Sequence, residues 1–403
     1  MLSGAGVCRC ALSRLSRNEG ESVKSNIVFK TPHPNPSPRG RGALAVRYLL
    51  PLALRDRGLG GEGARVRTGC AAKRQKGIAM ITALMIVAIA VTVTASIFVQ
   101  QRYSIRLTNN FQDLEQAYQY AYAAEELAGV WLKRDAQENK HDSKHDFWAS
   151  EDLPPFEIDD DDGRAIGEVK MAIEDMQGRF NINNIYNAEK KEQRESLMRA
   201  FQLLLQETGV PTGFSHSVLD WVDPDDETYQ SGAETPYYLT LEPPYRAGNK
   251  FLTDSSELFA VKMDGVNTPD DKAEKLKELL FYSVALPTPT AVNVNTASSQ
   301  VLIATGMLKR QADMIISYRD ARPIEDMATL KTGISGLGLS DETRALLGVS
   351  SDYFRLYGQV RLGKSRLFLN SLLFRSPQGE VHVIMRQFSR VARPKSETSL
   401  FSG

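Results

Sequence analysis

The segment SVLDWVDPDDETYQSGAETPYY, residues 217–238, carries the densest group of chemically capable side chains in this sequence. Six carboxylates lie within fifteen residues, interrupted by proline and glycine: Asp220, Asp223, Asp225, Asp226, Glu227 and Glu234. Carboxylate oxygens on a turning loop suit Ca²⁺, which takes roughly six to eight oxygen ligands in flexible geometry. The spacing is not that of an EF-hand. A solvated acidic turn without a metal is the alternative interpretation.

Two other acidic or histidine-containing segments are weaker candidates for metal binding. DDDDG at 159–163 has the composition of a solvated turn leading into a strand. His141 and His145 have the i,i+4 spacing that chelates a transition metal on a helix, but they lie in the polar stretch AQENKHDSKHD, which we predict to be a helix end or loop. The nucleotide-binding and hydrolase motifs G-x-x-x-x-G-K-[ST], G-x-S-x-G and H-E-x-x-H do not occur, so the sequence does not predict an enzyme.

A long apolar stretch indicates a membrane anchor. No charged residue occurs from Ile78 to Val99, a length that crosses about 30 Å of hydrocarbon as a helix. Basic residues precede it, which places the preceding side in the cytoplasm and the following chain across the membrane. Apolar residues then recur every three or four positions, so we predict one helix from Ile78 to about Arg134, first apolar all round and then amphipathic.

The 77 residues before this helix differ in composition from the rest. They hold 15 of the 49 basic residues, 4 of the 49 acidic ones and all three cysteines, which leaves residues 78–403 with a net charge of −11. An acidic body argues against non-specific nucleic-acid binding. Because residues 1–72 show no sustained apolar period, we expect a misassigned translation start or a disordered arm.

The body after the helix alternates between strand and helix patterns. Residues 165–183 alternate apolar and polar positions around Gln177 and Gly178, which predicts strands on both sides of a turn. Residues 189–209 have a helical period, and residues 353–390 hold three strand-like runs, the last two joined at 377–379. Strands, helices and strands again are the order expected for an insertion into a sheet.

A basic stretch, a glycine and an apolar helix that becomes amphipathic resemble the N-terminus of type IV pilins and type II secretion pseudopilins. In these families the prepilin peptidase cuts after the glycine, which implies processing here between Gly77 and Ile78. The fifth mature residue is then Thr82, where the family usually has a glutamate that neutralises the N-terminal ammonium of a neighbouring subunit. A subunit at the tip of the filament has no other subunit above it, and therefore no such ammonium to neutralise. A glutamate there would be an unpaired charge in an apolar core, which is costly.

Because it lacks this glutamate and has a large body, the chain resembles the minor pseudopilin K family of the type II secretion system. Its signature loop, matched here by DWVDPDDE…GAE…YY, binds calcium. The resemblance implies calcium ligands at Asp223, Asp225 and Glu234, with Asp220 and Asp226 as further candidates.

The resemblance also implies a role in assembly. A single-pass inner-membrane protein with its bulk in the periplasm would form the pseudopilus tip with minor pseudopilins I and J and support secretion across the outer membrane. Further implied partners are the major pseudopilin, the prepilin peptidase, the inner-membrane assembly platform and secreted substrates.

Two alternative functions come from other classes. The stretch VNVNTASSQVLIATGMLKRQADMIISYRDARPIEDMATL resembles the helix-hairpin-helix module of DNA-uptake proteins, but Gly306-Met307-Leu308-Lys309 lacks the second hairpin glycine. We therefore interpret it as packing and expect no nucleic-acid partner. The other alternative is a minor pilin of a type IV pilus.

An Asn-x-Asn step occurs twice in the sequence, in RFNINNIYN at 179–187 and in VNVN at 292–295. We expect Asn183 or Asn295 to cap the helix that follows it.

The predicted fold is α+β: a pilin-like long N-terminal helix and an antiparallel sheet, with an inserted helical domain of the SAM or helix-hairpin-helix type. The predicted segments are a leader over 1–77 that ends in the prepilin signal, the N-terminal helix over 78–135, a β region over 136–183, the inserted domain with its calcium loop over 184–288, a helix-hairpin-helix-like region over 289–348 and C-terminal strands over 349–393.

Overall fold

The first described element is one long helix. The computed structural model describes residues 78–150, 153–186, 191–266 and 268–389, so the predicted leader and Gly77 lie outside the described residues. Helix α1 runs over Ile78–Glu138, 61 residues, which confirms the predicted continuous helix. The described chain divides into residues 78–116 and a compact unit of residues 117–389.

The first part of α1 satisfies its own polar groups. The hydroxyls of Thr82, Thr92, Thr94 and Ser96 each donate to a carbonyl oxygen three or four residues earlier, at 2.7–3.0 Å. In hydrocarbon an unsatisfied hydroxyl is costly, and this back-bonding removes that cost within the helix. Among the described helices, α1 alone is long and apolar enough to cross a membrane.

The part of α1 in the compact unit packs against the sheet. Four of its seven buried residues are alanines, Ala117, Ala121, Ala124 and Ala128, and the others are Tyr120, Glu125 and Leu132. Small side chains let the strands approach the helix closely. Within this contact Glu125 is buried and accepts a bidentate hydrogen bond from Arg386, with Nη2 to Oε2 at 2.5 Å. The pair places a charge-assisted bond inside an otherwise apolar contact.

Five strands form an antiparallel sheet: β1 Phe156–Asp159, β2 Ala165–Asp175, β7 Tyr353–Leu362, β8 Ser365–Arg375 and β9 Val381–Ser389. Their order in the sheet is β1-β2-β7-β8-β9. The three C-terminal runs form consecutive strands, and the predicted turn at 377–379 joins the last two. DDDDG is a turn between β1 and β2, as predicted, in which Asp160 accepts from the amide of Arg164.

The predicted turn at Gln177 and Gly178 is confirmed: these residues lie in a 3₁₀ turn, Met176–Gly178, with a strand on each side of it. The two strands do not pair with each other, because β2 pairs with β7. Strand β3, Phe180–Asn181, leaves the sheet and pairs in parallel with β4, Ser283–Val284. The chain therefore exits the sheet after β2 and returns to it at β7, and everything between is an insertion.

The insertion is mainly helical and has one continuous core. Buried residues from Phe180 to Leu347 form a single cluster, so the predicted segments 184–288 and 289–348 share their hydrophobic interior. Its helices are α2 Lys191–Glu207, α3 Phe214–Val222, α4 Thr235–Tyr238, α5 Pro269–Tyr282, α6 Ser299–Ala304, α7 Lys309–Ala321 and α8 Asp341–Ala345; its short strands β5 Val292–Asn293 and β6 Leu347–Gly348 pair in parallel.

The two Asn-x-Asn steps form the same hydrogen-bond pattern twice. Asn183 donates to Leu252 O at 2.9 Å and accepts from Leu252 N at 2.9 Å. Asn295 makes the same two-way pairing with Ile324, at 2.9 and 2.8 Å. The prediction that either asparagine caps the following helix is wrong, since α6 is capped by Ser298. A buried amide side chain has donors and an acceptor, and backbone of a distant loop supplies partners for them.

A buried arginine connects α1, the loop after it and β8. Arg375 Nη2 donates to both oxygens of Asp142, at 2.6 and 2.5 Å, and to Ser351 O at 2.8 Å. Its Nη1 donates to Asp135 Oδ2 at 3.2 Å, and the guanidinium lies 4.7 Å from the ring centre of Phe354. This arginine is the countercharge that lets two carboxylates remain inside the unit.

Arg375→Met should destabilise the protein severely, because it leaves the buried carboxylate of Asp142 and the mostly buried one of Asp135 without a countercharge. We expect a loss of about 3–5 kcal/mol in the free energy of unfolding. Urea unfolding of the full chain in detergent, followed by tryptophan fluorescence, measures it. Arg361→Met is the matched control: this side chain pairs with Glu168 at the surface, and its loss should cost about 0.5 kcal/mol or less. Equal losses in the two variants would contradict the role of Arg375.

Candidate metal centre

The acidic loop is fixed by helices at both ends. Helix α3 carries Asp220 in its last turn, and Asp223 is its C-terminal cap residue, so the two carboxylates have the i,i+3 spacing of one helix face. Glu234 is the residue immediately before α4. The loop between these helices folds back, so that side chains eleven residues apart in sequence come together.

Gly232 allows the loop to close over Asp220. A Cβ atom at this position would lie 2.1 Å from Asp220 Oδ2 and 3.0 Å from His216 O, so only glycine fits. The Asp220 carboxylate also accepts from the amide of Tyr229, at 3.0 Å to Oδ1, and from the amide of Ala233. Neither backbone donor could be predicted from the sequence, where Gly232, between the carboxylates, is the one signal that the loop closes here.

Three carboxylates meet in this loop. Asp220, Asp223 and Glu234 each offer an oxygen within 4.8 Å of the others, and the residues are 0%, 8% and 2% exposed. Among the described residues, none donates a hydrogen bond to Asp223 Oδ1 or to either Glu234 oxygen. Buried carboxylate oxygens without donors are costly, and a cation is the group that would satisfy them. Hard oxygen donors are the set that fits Ca²⁺.

The pKa values of the three carboxyl groups are raised, as expected for carboxylates that are buried close together. Burial first, and the neighbouring carboxylates next, raise the pKa of Asp223 to about 7 and that of Glu234 to about 8. Burial also raises the pKa of Asp220 to about 6, against the two amide donors that lower it. Without a cation, the carboxylates therefore hold protons at pH values where ordinary carboxyls are ionised.

The other two predicted ligands do not join this cluster. Asp225 and Asp226 are exposed, on the stretch that follows Pro224. Asp225 Oδ1 accepts from the amide of Glu227 at 2.9 Å, and Asp226 Oδ1 lies 3.5 Å from Asn249 Nδ2. They add negative charge near the buried carboxylates but lie outside the buried group.

The second set of close carboxylates in the described residues has a different character. Asp135, Asp142 and Asp146 also offer oxygens within 4.8 Å, but Arg375 already binds the first two. His141 and His145 follow the end of α1, so they do not share a helix face. A ring nitrogen of His145 lies 2.8 Å from Arg319 O, which indicates a structural role.

The hairpin at Gly306, which resembles a DNA-binding module, forms its hydrogen bonds within the protein. Gly306 has φ +95°, as a tight hairpin needs, but the amide of Leu308 donates to Gln311 Oε1 at 2.8 Å. Gln311 Nε2 in turn donates to Leu337 O at 2.8 Å. An amide that already donates to a side chain of the protein is not free to bind a phosphate, so this hairpin packs the insertion together.

Comparison with known proteins gives consistent matches. The family model described as "Type II secretion system (T2SS), protein K" matches residues 178–270, which include the acidic loop. Type II secretion system protein K of Pseudomonas aeruginosa is 30% identical over 336 residues, 80% of this chain and 96% of that protein. The protein of the same name from Pectobacterium carotovorum is 29% identical, over 78% of this chain and 97% of its own length.

A solved structure shares the fold. A chain in the crystal structure of the GspK-GspI-GspJ complex from the enterotoxigenic Escherichia coli type 2 secretion system superposes with a TM-score of 0.58 at 22% identity. The match covers 70% of this chain and 99% of that one, and it confirms the predicted α+β fold class. The chain therefore belongs to the type II secretion system protein K family and is a minor pseudopilin.

Proposed function

We propose that this minor pseudopilin forms the tip of the type II secretion pseudopilus, together with pseudopilins I and J, and supports protein secretion across the outer membrane. Cleavage after Gly77 would begin the mature chain at Ile78, and the apolar helix would hold it in the inner membrane with its bulk in the periplasm. Its role is structural: the helix packs with sister helices, and the insertion caps the filament.

The observation that carries the proposal is Thr82. Its hydroxyl donates to Ala79 O at 3.0 Å, so the side chain is satisfied within its own helix. A glutamate here would need a cationic partner, since an unpaired charge inside an apolar assembly is costly. A subunit without that glutamate can end a filament without leaving a charge unpaired. The bulk of the insertion supports the same position, because it would obstruct a subunit added above.

Partners are inferred from the relative of known structure. That relative was crystallised with pseudopilins I and J, and its fold covers 70% of this chain. We propose the same two partners here. The major pseudopilin, the assembly platform, the prepilin peptidase and secreted substrates follow as further partners from membership of the family.

Epitope placement tests the tip position. An epitope inserted after Asp162, in the exposed turn between β1 and β2, should leave the fold intact. Immunogold labelling of overproduced pseudopili should then mark one end of each filament, and the full chain should co-purify with I and J from detergent. The same epitope on the major pseudopilin should label along the length. Lateral labelling with the minor subunit would contradict the tip assignment.

We further propose that Asp220, Asp223 and Glu234 bind calcium, with Asp225 and Asp226 as additional candidate ligands. The buried oxygens without donors support this proposal, as does their pKa pattern. A bound calcium ion supplies the positive charge that cancels the repulsion among the carboxylates. The residues bring α3 and α4 together around this charge, which stiffens the insertion.

Calcium should therefore raise the melting temperature of the full chain in detergent by several degrees, and a chelator should reverse the gain. Protons compete for the same carboxylates, two of which have pKa values of about 7 and about 8, so the gain should be larger at pH 8 than at pH 6. Calorimetry at both pH values measures it. Identical melting curves with and without calcium would contradict the calcium site.

Glu234→Gln should abolish the calcium response. In chelator at pH 8 this variant should melt a few degrees above the wild type, because it removes one of three buried, mutually repelling carboxylates. Calcium should then raise its melting temperature little or not at all. Glu227→Gln is the matched control, since this side chain is exposed and outside the buried cluster; it should keep the wild-type response. A calcium gain in Glu234→Gln equal to that of the wild type would exclude Glu234 as a ligand.

A further inference from the structure

One peptide unit lies between a lysine and the buried carboxylates. The ammonium of Lys262 donates to Ser231 O at 3.2 Å and to Gly232 O at 3.4 Å. On the other side of the Gly232–Ala233 peptide, the amide of Ala233 donates to the Asp220 carboxylate. The C=O and N–H of a trans peptide point in opposite directions. The negative end of this peptide dipole therefore faces the ammonium and its positive end faces the carboxylate.

Lys262 also holds the far side of the same loop. Its own backbone amide donates to the hydroxyl of Tyr238 at 3.1 Å. Its ammonium lies 5.3 Å from the ring centre of Tyr237, within the range of a cation–π contact. Tyr238 is fully buried and packs edge-on against Trp221, with ring centres 5.1 Å apart. Lys262 thus contacts the chain both before and after Glu234.

The backbone that carries Lys262 is itself anchored. The Lys272 ammonium donates to Phe259 O at 2.8 Å and to Val261 O. The hydroxyl of Tyr245 donates to Ala260 O at 2.7 Å. These three bonds fix the three carbonyls immediately before Lys262 and so hold the backbone from which its side chain reaches the loop.

We infer that Lys262 is a positioning residue of the cation site, one that keeps Glu234 beside Asp220 and Asp223 before an ion arrives. Three carboxylates this close repel one another and would push the loop open. The bonds from Lys262 to the carbonyls of Ser231 and Gly232 oppose that opening. The inference rests on the proposed calcium site and adds how its geometry is maintained.

The sign of the effect separates this role from simple electrostatics. As a nearby positive charge, Lys262 repels an incoming cation, so its removal would tighten calcium binding. As a positioning residue, it spares the ion the cost of ordering the loop, so its removal weakens binding. The two roles predict opposite changes in the calcium dissociation constant.

Lys262→Met should weaken calcium binding about tenfold in calorimetric titration of the full chain in detergent. Lys262→Arg, which retains a cationic donor, should lose less. In chelator, hydrogen–deuterium exchange of peptides covering residues 231–236 should be faster in Lys262→Met than in the wild type. Lys277→Met removes an exposed lysine from α5 and should change neither measurement.

Unchanged or tighter binding in Lys262→Met, or unchanged exchange in chelator, would overturn the positioning role while leaving the calcium site intact. A wild-type protein that shows no calcium binding would overturn the proposed site and this inference together. The two failures are therefore distinguishable, because only the second appears in the wild-type titration.

Discussion

The arrangement of this protein depends on one buried carboxylate, Asp175, at the point where the chain leaves the sheet. It accepts hydrogen bonds from Gln177 N, Asn293 Nδ2, Thr296 Oγ1 and Ser351 Oγ, at 2.5–2.9 Å. These donors come from the exit turn, from the insertion and from the segment that leads back into the sheet. Burial raises the pKa of Asp175, and the four donors oppose that rise. A shift of the insertion against the sheet would leave a buried carboxylate without its partners, so this contact fixes the position of the insertion.

Local patterns predicted the elements that local interactions determine. The apolar and then amphipathic run predicted α1, and alternation with a Pro-Gln-Gly turn predicted β8 and β9. The pairing of β3 with β4 was not predictable, because a two-residue parallel bridge has no periodicity of its own. It is held by contacts more than a hundred residues apart in sequence, such as Asn181 with Leu286 N at 3.1 Å. The asparagine repeat was visible in the sequence, but its partners, Leu252 and Ile324, were not.

In the candidate site, too, the sequence predicted the local segment but not the contacts between residues distant in sequence. Composition located the loop, and the resemblance supplied five candidate ligands, but burial separated them into two groups. Asp220 and Asp223 share a face because helix α3 continues to Val222, and this helix was not among the predicted elements. Glu234 joins them only because the loop folds back. Lys262 gave no signal, since a lysine is ordinarily a solvated side chain and its contacts here are with backbone carbonyls.

The proposed calcium site connects the stability of the insertion to the medium around it. An ion at about 100 times its dissociation constant stabilises the state that binds it by about 2.7 kcal/mol, a large fraction of the stability of an ordinary domain. The site lies in the same continuous core as the helices that follow β5, and β5 carries Asn293 to Asp175. Stabilising α3 and α4 thereby stabilises the core through which the insertion is anchored to the sheet. Without the ion the carboxylates hold protons or repel one another, whereas bound calcium would favour the folded insertion. On the proposed function, the capping surface would then be most stable where the filament is assembled.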